Sequence, residues 1–133
     1  MDFVSIRIIT EDVARLVGFY ERITDTAATW RSDDFAEITV GHATLAVAST
    51  RTVPVFAPGS AEAGANRSVI IEFLVEDVDS LHAALRRDVK GFVNEPTTMP
   101  WGNRSLLIRD PDGNLVNLFT PVNGLLAGDE PAR

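Results

Sequence analysis

Two stretches of the chain share one rhythm of apolar and polar positions. Val4, Ile6, Ile8 and Ile9 make a β-branched run near the start, and Val69, Ile70, Ile71, Phe73 and Val75 make a second one. Such residues fit a half-buried pleated surface, so each run predicts a strand. Each then meets an acidic pair, Glu11 with Asp12 and Glu76 with Asp77. Asp12 and Asp77 are natural N-caps, because a short carboxylate accepts from the free amides of a first helical turn and suits its positive end. Beyond Asp12 the apolar residues Val13, Leu16, Val17, Tyr20 and Ile23 fall three or four apart, which places them on one helical face. Beyond Asp77 the same face is drawn by Val78, Leu81, His82 and Leu85.

The period then shortens. FAEITV from Phe35 and ATLAVA from Ala43 flank a tight turn at Gly41 and His42, and RSLLIR from Arg104 and LVNLFT from Leu115 flank Asp110-Pro111-Asp112-Gly113-Asn114. Pro111 presets a turn dihedral and Gly113 can take a positive φ, so both pairs predict hairpins. Aligned without a gap, Val4, Glu11, Asp12, Val13 and Leu16 recur as Val69, Glu76, Asp77, Val78 and Leu81. The chain is therefore a duplicated unit of strand, helix and two or three further strands. Repeat one covers 3–50, a Pro-, Ala- and Gly-rich linker 51–68, repeat two 69–122 and a flexible tail 123–133.

Composition narrows the function classes. A chain of 133 residues that is 45% hydrophobic can bury one core, and the reading is a single domain. A formal charge of −7 repels nucleic-acid backbones and anionic membrane surfaces. The first residues, MDFVSIRIIT, carry Asp2 and Arg7, which is unlike a secretion signal, and no apolar run is long enough to span a bilayer. The expected location is the cytoplasm. Cysteine is absent, which removes disulfides, thiolate nucleophiles and sulfur-ligated zinc. The sequence has no phosphate-binding glycine loop, no GxSxG elbow and no dinucleotide fingerprint, and Ser5, Ser68 and Ser105 lack a histidine and carboxylate to activate them.

The duplicated βαβββ pattern, the acidic cap pair, GFYERI from Gly18 and DPDGNLVNLF from Asp110 together resemble the vicinal oxygen chelate superfamily of glyoxalases, bleomycin-resistance proteins and extradiol dioxygenases. The resemblance runs from about Phe3 to Val122. It implies an α+β fold in which the two βαβββ repeats form a curved mixed sheet around a cavity. It also implies a homodimer and, in active members, a divalent metal. The ligands would be a His near the start of the first strand, a His or Gln at the matching place in repeat two, and Glu on the strand ending each half. Counted from the capping Asp, the first position falls on Ser5 and its counterpart on Ile70. The terminal Glu position falls on Asn117, and its match in repeat one is Ala46 or Val47. These side chains are poor divalent-metal ligands or none at all. No metal site and no cofactor is expected, unless the ligands have moved to Glu37, His42 or Glu72.

What the resemblance leaves is a cavity. In its register Ser5, Arg7 and Ile9 point inward, as do Ile70, Glu72 and Leu74. Arg7 and Glu72 occupy matched positions with opposite charge, suited to pairing with each other or to orienting a ligand's polar group. Trp101 beside Gly102 offers an aromatic wall, or equally a loop anchor. Trp30 offers a weaker one. Asn117 and Phe119 share a face of the last strand, where Asn117 can hydrogen-bond a ligand or a neighbour. The candidate binding residues are thus Ser5, Arg7, Trp30, Glu72, Trp101, Asn117 and Phe119. The reading is a protein that sequesters a small, partly aromatic molecule. The alternatives are a lyase-like or dioxygenase-like enzyme, with relocated ligands or a metal-free mechanism in which Glu72 is the base, and a structural subunit with a filled cavity.

Overall fold

The computed structural model describes residues 1–122 of the chain, so the predicted flexible tail 123–133 lies outside the described residues. The chain divides into two compact units, Met1–Asn66 with Pro111–Gly113, and Arg67–Asp110 with the segment from Asn114 onward.

In the first unit, β1 (Ser5–Thr10) leads into α1 (Val13–Thr24), followed by β2 (Thr29–Ser32), β3 (Phe35–Val40) and β4 (Ala43–Ser49). The sheet order is β1-β4-β3-β2, with β1 parallel to β4 and the other pairs antiparallel. Asp12 caps α1 as expected, its carboxylate accepting from the Arg15 amide at 3.1 Å. The helix ends at Asp25, which adopts the left-handed region at φ 50 and turns the chain toward β2. The predicted apolar stripe is the buried face: Val13, Leu16, Val17, Tyr20 and Ile23 are all buried as α1 lies on β3 and β4. Ala36, Ile38, Leu45 and Val47 complete that layer from the sheet.

The predicted linker is not irregular throughout. A single 3-10 turn, Thr50–Thr52, runs into the short helix α2 (Val53–Phe56), where Pro54 sits in the first turn. Proline is tolerated there because the amide it lacks would have had no partner in the helix. Val53 is buried with Ile9 and Ala48, and Phe35 and Ala63 pack against this cluster. The segment therefore covers one end of the sheet face turned away from α1.

The second unit repeats the plan. Its elements are β5 (Ile70–Leu74), α3 (Val78–Leu85), the short β6 (Thr97–Thr98), β7 (Asn103–Arg109) and β8 (Leu115–Pro121), in the order β5-β8-β7-β6. The parallel pair is again first strand with last. Asp77 caps α3 by accepting from the Asp79 and Ser80 amides at 3.1 and 3.2 Å. The remaining first-turn amide, Val78, donates to Thr120 Oγ1 at 3.1 Å. Val78, Leu85, Leu106, Ile108, Val116 and Leu118 form the buried layer. Asp110 and Asn114 close the β7–β8 turn, with the Asn114 amide and side chain donating to the Asp110 carboxylate at 2.9 and 2.8 Å. At Gly91, φ is +94 and an added Cβ would lie 2.7 Å from the Arg109 carbonyl oxygen, so only glycine fits.

Candidate functional site

In the first unit, strand alternation and register put Ser5, Arg7 and Ile9 of β1 on the same face as Thr44, Ala46 and Ala48 of β4 and Thr39, Glu37 and Phe35 of β3. This is the face away from α1. Arg7 is exposed, and its guanidinium lies 4.8 Å from the centroid of Phe35 and 5.8 Å from that of Phe56. Both distances lie within the reach of a cation over a ring's negative face. Glu37, the carboxylate on the same face, is taken by Arg31, whose Nε donates to it at 2.7 Å. Thr44 and Thr39 hydroxyls bond each other at 2.9 Å.

In the second unit, the corresponding face carries Ile70, Glu72 and Leu74 of β5, Leu115, Asn117 and Phe119 of β8, and Leu107 and Ser105 of β7. Asn117 Nδ2 donates to Glu72 at 2.9 Å, and Asn117 Oδ1 is covered without a hydrogen-bond partner among the described residues. The exposed Glu72 carboxylate thus fixes the orientation of the amide. Within its own unit Arg7 lies near Phe35 and Phe56, and Glu72 accepts from Asn117. Phe119 is buried, which makes it a support for this face, whereas Trp101, 65% exposed, stands in the β6–β7 turn beside Gly102 at φ +100.

Trp30 is set apart from Ser5 and Arg7. It pairs with Ala36, so it belongs to the other face of the first sheet. There it lines a cleft of about 330 Å³ with Glu11, Asp12, Val13, Ala14, Asp33 and Arg51. Arg51 is held by Asp34, to which its Nε donates at 2.9 Å, and the guanidinium keeps the Asp34 carboxyl below the usual carboxylate range.

The register also decides between Ala46 and Val47. Glu72 pairs with Asn117 and its repeat equivalent Arg7 pairs with Ala46, so Ala46 is the match of Asn117. The positions where relatives would supply ligands are thus Ser5 and Ala46 in one unit and Ile70 and Asn117 in the other. Each pair offers a single neutral oxygen group, a hydroxyl in the first unit and an amide in the second, with no imidazole or carboxylate, and neither suits a divalent transition metal. Among the described residues no three His, Asp or Glu side chains lie close enough together to hold a metal ion.

The model of the Glyoxalase/Bleomycin resistance protein/Dioxygenase superfamily matches residues 2–118. The chain belongs to this superfamily. Solved structures agree with the assignment. A glyoxalase/bleomycin resistance protein/dioxygenase from Nocardioides superposes with a TM-score of 0.78 at 20% identity, covering 100% of this chain and 89% of that one. A family enzyme from Burkholderia phytofirmans PsJN gives 0.79 at 16%, covering 91% and 99%. A conserved domain protein gives 0.75 at 27%, covering 91% and 99%. No curated protein matches the chain. At such identities the superpositions carry the fold, and the chemistry rests on this chain's own side chains.

Phe56 is the site residue that the sequence reading missed, because it sits in the segment read as a linker. A usable signal was present in Val53-Pro54-Val55-Phe56, an apolar run with proline where a helix starts.

Proposed function

We propose that this superfamily member is a small-molecule-binding protein that holds its ligand without the divalent metal of the catalytic relatives, as a single-domain homodimer in the cytoplasm. The observation that carries this reading is the donor set at Ser5, Ala46, Ile70 and Asn117. A hydroxyl, a methyl, an sec-butyl group and an amide supply no anionic or imidazole ligand, so Lewis-acid activation has nothing to rest on at that place. Of the three residues to which ligation could have moved, Glu37, His42 and Glu72, the two carboxylates are engaged, Glu37 by Arg31 and Glu72 by Asn117. Binding is assigned to exposed side chains of each unit taken by itself: Ser5 and the Arg7 cation with its rings in the first, and the Glu72–Asn117 pair and Trp101 in the second.

The test is elemental analysis of the chain purified without added metal or chelator, followed by thermal unfolding with nickel, zinc, manganese and iron. The expected result is far less than one metal per chain and no metal-dependent stabilisation. About one metal per chain with a large stabilisation would overturn the reading in favour of an enzyme with relocated ligands. Quenching of Trp30 and Trp101 fluorescence then screens for the ligand, and sedimentation tests the dimer.

A further inference from the structure

We propose that Arg7, held against Phe35 and Phe56, is the receptor for the carboxylate of an otherwise apolar or aromatic ligand. The inference rests on the binding reading above and names its ligand class. A guanidinium offers five N–H donors in a planar fork and is always charged, so a carboxylate can replace water on two of them at once. Among the described residues no hydrogen bond or ion pair engages Arg7, and its guanidinium lies near the two rings. Glu37, the acid sharing its face, is already committed to Arg31 at 2.7 Å. The cross-strand neighbour, Ala46, has no polar group to offer. The Phe35 and Phe56 rings lie beside the guanidinium at 4.8 and 5.8 Å and accept none of its N–H groups in-plane, which a bidentate carboxylate would engage.

The surroundings select the rest of the molecule. Phe56, 56% exposed, gives an apolar surface beside the charge. Ser5, two residues along the strand on the same face, adds an exposed hydroxyl about 6–7 Å from Arg7 along the backbone. One guanidinium neutralises one negative charge. In a chain of net charge −7, a dianion would keep an uncompensated charge in a repulsive field. A monocarboxylate therefore fits better than a phosphate monoester.

The experiment is calorimetric titration of the full chain with 2-naphthoate, its neutral amide 2-naphthamide, the cation 2-naphthylmethylamine, and 2-naphthyl phosphate. The expected order is naphthoate first, with the amide and the amine at least tenfold weaker and the phosphate weaker than the carboxylate. Arg7→Gln lowers naphthoate affinity at least tenfold and amide affinity by a clearly smaller factor, with the chain still folded by its unfolding transition. Arg7→Lys falls between, because an ammonium keeps the charge and loses the fork. Phe56→Leu weakens both naphthoate and amide. Equal naphthoate binding by Arg7→Gln, or a preference for the phosphate, the amide or the amine, overturns the carboxylate assignment and leaves the binding function standing. If none of the four probes binds and the fluorescence screen is also silent, the binding function falls with it.

Discussion

Thr120 ties the last strand of the second unit to the start of α3, and its removal tests how that helix is begun. Its hydroxyl accepts from the Val78 amide at 3.1 Å and donates to the Val75 carbonyl at 2.9 Å. Asp77 serves the next two amides of the turn, so Thr120 is what completes the accounting for the first three. Thr120→Val keeps the shape and removes the hydroxyl. Val78 is only 1% exposed, so water has little access to replace the lost acceptor. A buried donor left unpaired costs about 1–3 kcal/mol. The Val75 carbonyl, half-buried, loses a further partner. A total of about 2 kcal/mol, against an unfolding entropy of roughly 2.1 cal/mol/K per residue, lowers the unfolding temperature by about 7 °C.

Thr120→Ser is the matched control, because it keeps the oxygen and loses one partly buried methyl, worth less than about 0.8 kcal/mol. Calorimetric unfolding of both variants at neutral pH should separate them by about 4 °C or more. Hydrogen exchange should lose protection at the first-turn amides of α3 in Thr120→Val alone. If the two variants unfold together, the hydroxyl is not what holds the helix start and the reasoning fails.

The other predictions concern backbone, charge and the second-unit pair. Gly91→Ala should destabilise by about 1–3 kcal/mol, since it adds a Cβ against the Arg109 carbonyl at positive φ. Gly18→Ala, inside α1 with open space at the new methyl, should stabilise by about 0.5–1 kcal/mol in urea unfolding. Arg51 beside Asp34, the Ser80 hydroxyl and amide beside Asp77, and Arg104 beside Asp79 hold these three carboxyls below the usual range. Depressed folded values mean the stabilisation is complete above the unfolded value of about 3.9 and is lost as pH falls through the folded values below it. Arg51→Gln with Arg104→Gln should make the fall in urea midpoint below about pH 4 shallower, and an identical profile would refute the assignment. Asn117→Asp sets two carboxylates opposite each other in place of a hydrogen bond and should cost about 1–2 kcal/mol at low salt, partly recovered at 1 M salt. Asn117→Leu, which brings no charge, should show no such recovery.

Much of the fold was legible because it is written twice. The matching runs at Val4 and Val69 and the caps Asp12 and Asp77 located both first strands and both helix starts, and the structure places β1, α1, β5 and α3 there. Strands β2 and β6 were harder to read. β2 is broken by a register shift between Trp30 and Ser32, and β6 has only Thr97 and Thr98, so neither shows a sustained alternation. The faces of Ser5, Arg7, Glu72 and Asn117 followed from alternation once one inward position was fixed. Their partners did not, because a contact such as Arg7 on Phe56 depends on where α2 folds back, which no periodicity encodes.

Duplication also isolates what a single cross-strand neighbour does to a charge. Arg7 and Glu72 occupy equivalent positions on the first strand of each unit, paired in parallel with β4 and β8 respectively. In the second unit that neighbour is Asn117, long enough to donate to Glu72 at 2.9 Å, so the charge is satisfied within the sheet. In the first unit it is Ala46, whose methyl offers Arg7 no acceptor, and the guanidinium lies near the Phe35 and Phe56 rings. Ala46 and Asn117 stand where catalytic relatives would place carboxylates. In the first unit alanine at this position leaves Arg7 without an acid across the strand pair. A carboxylate at Ala46 would lie directly across from Arg7, within reach of cross-strand pairing. With Ala46 there instead, no cross-strand acid competes with an anion from solution for the guanidinium, which is the ground of the carboxylate proposal.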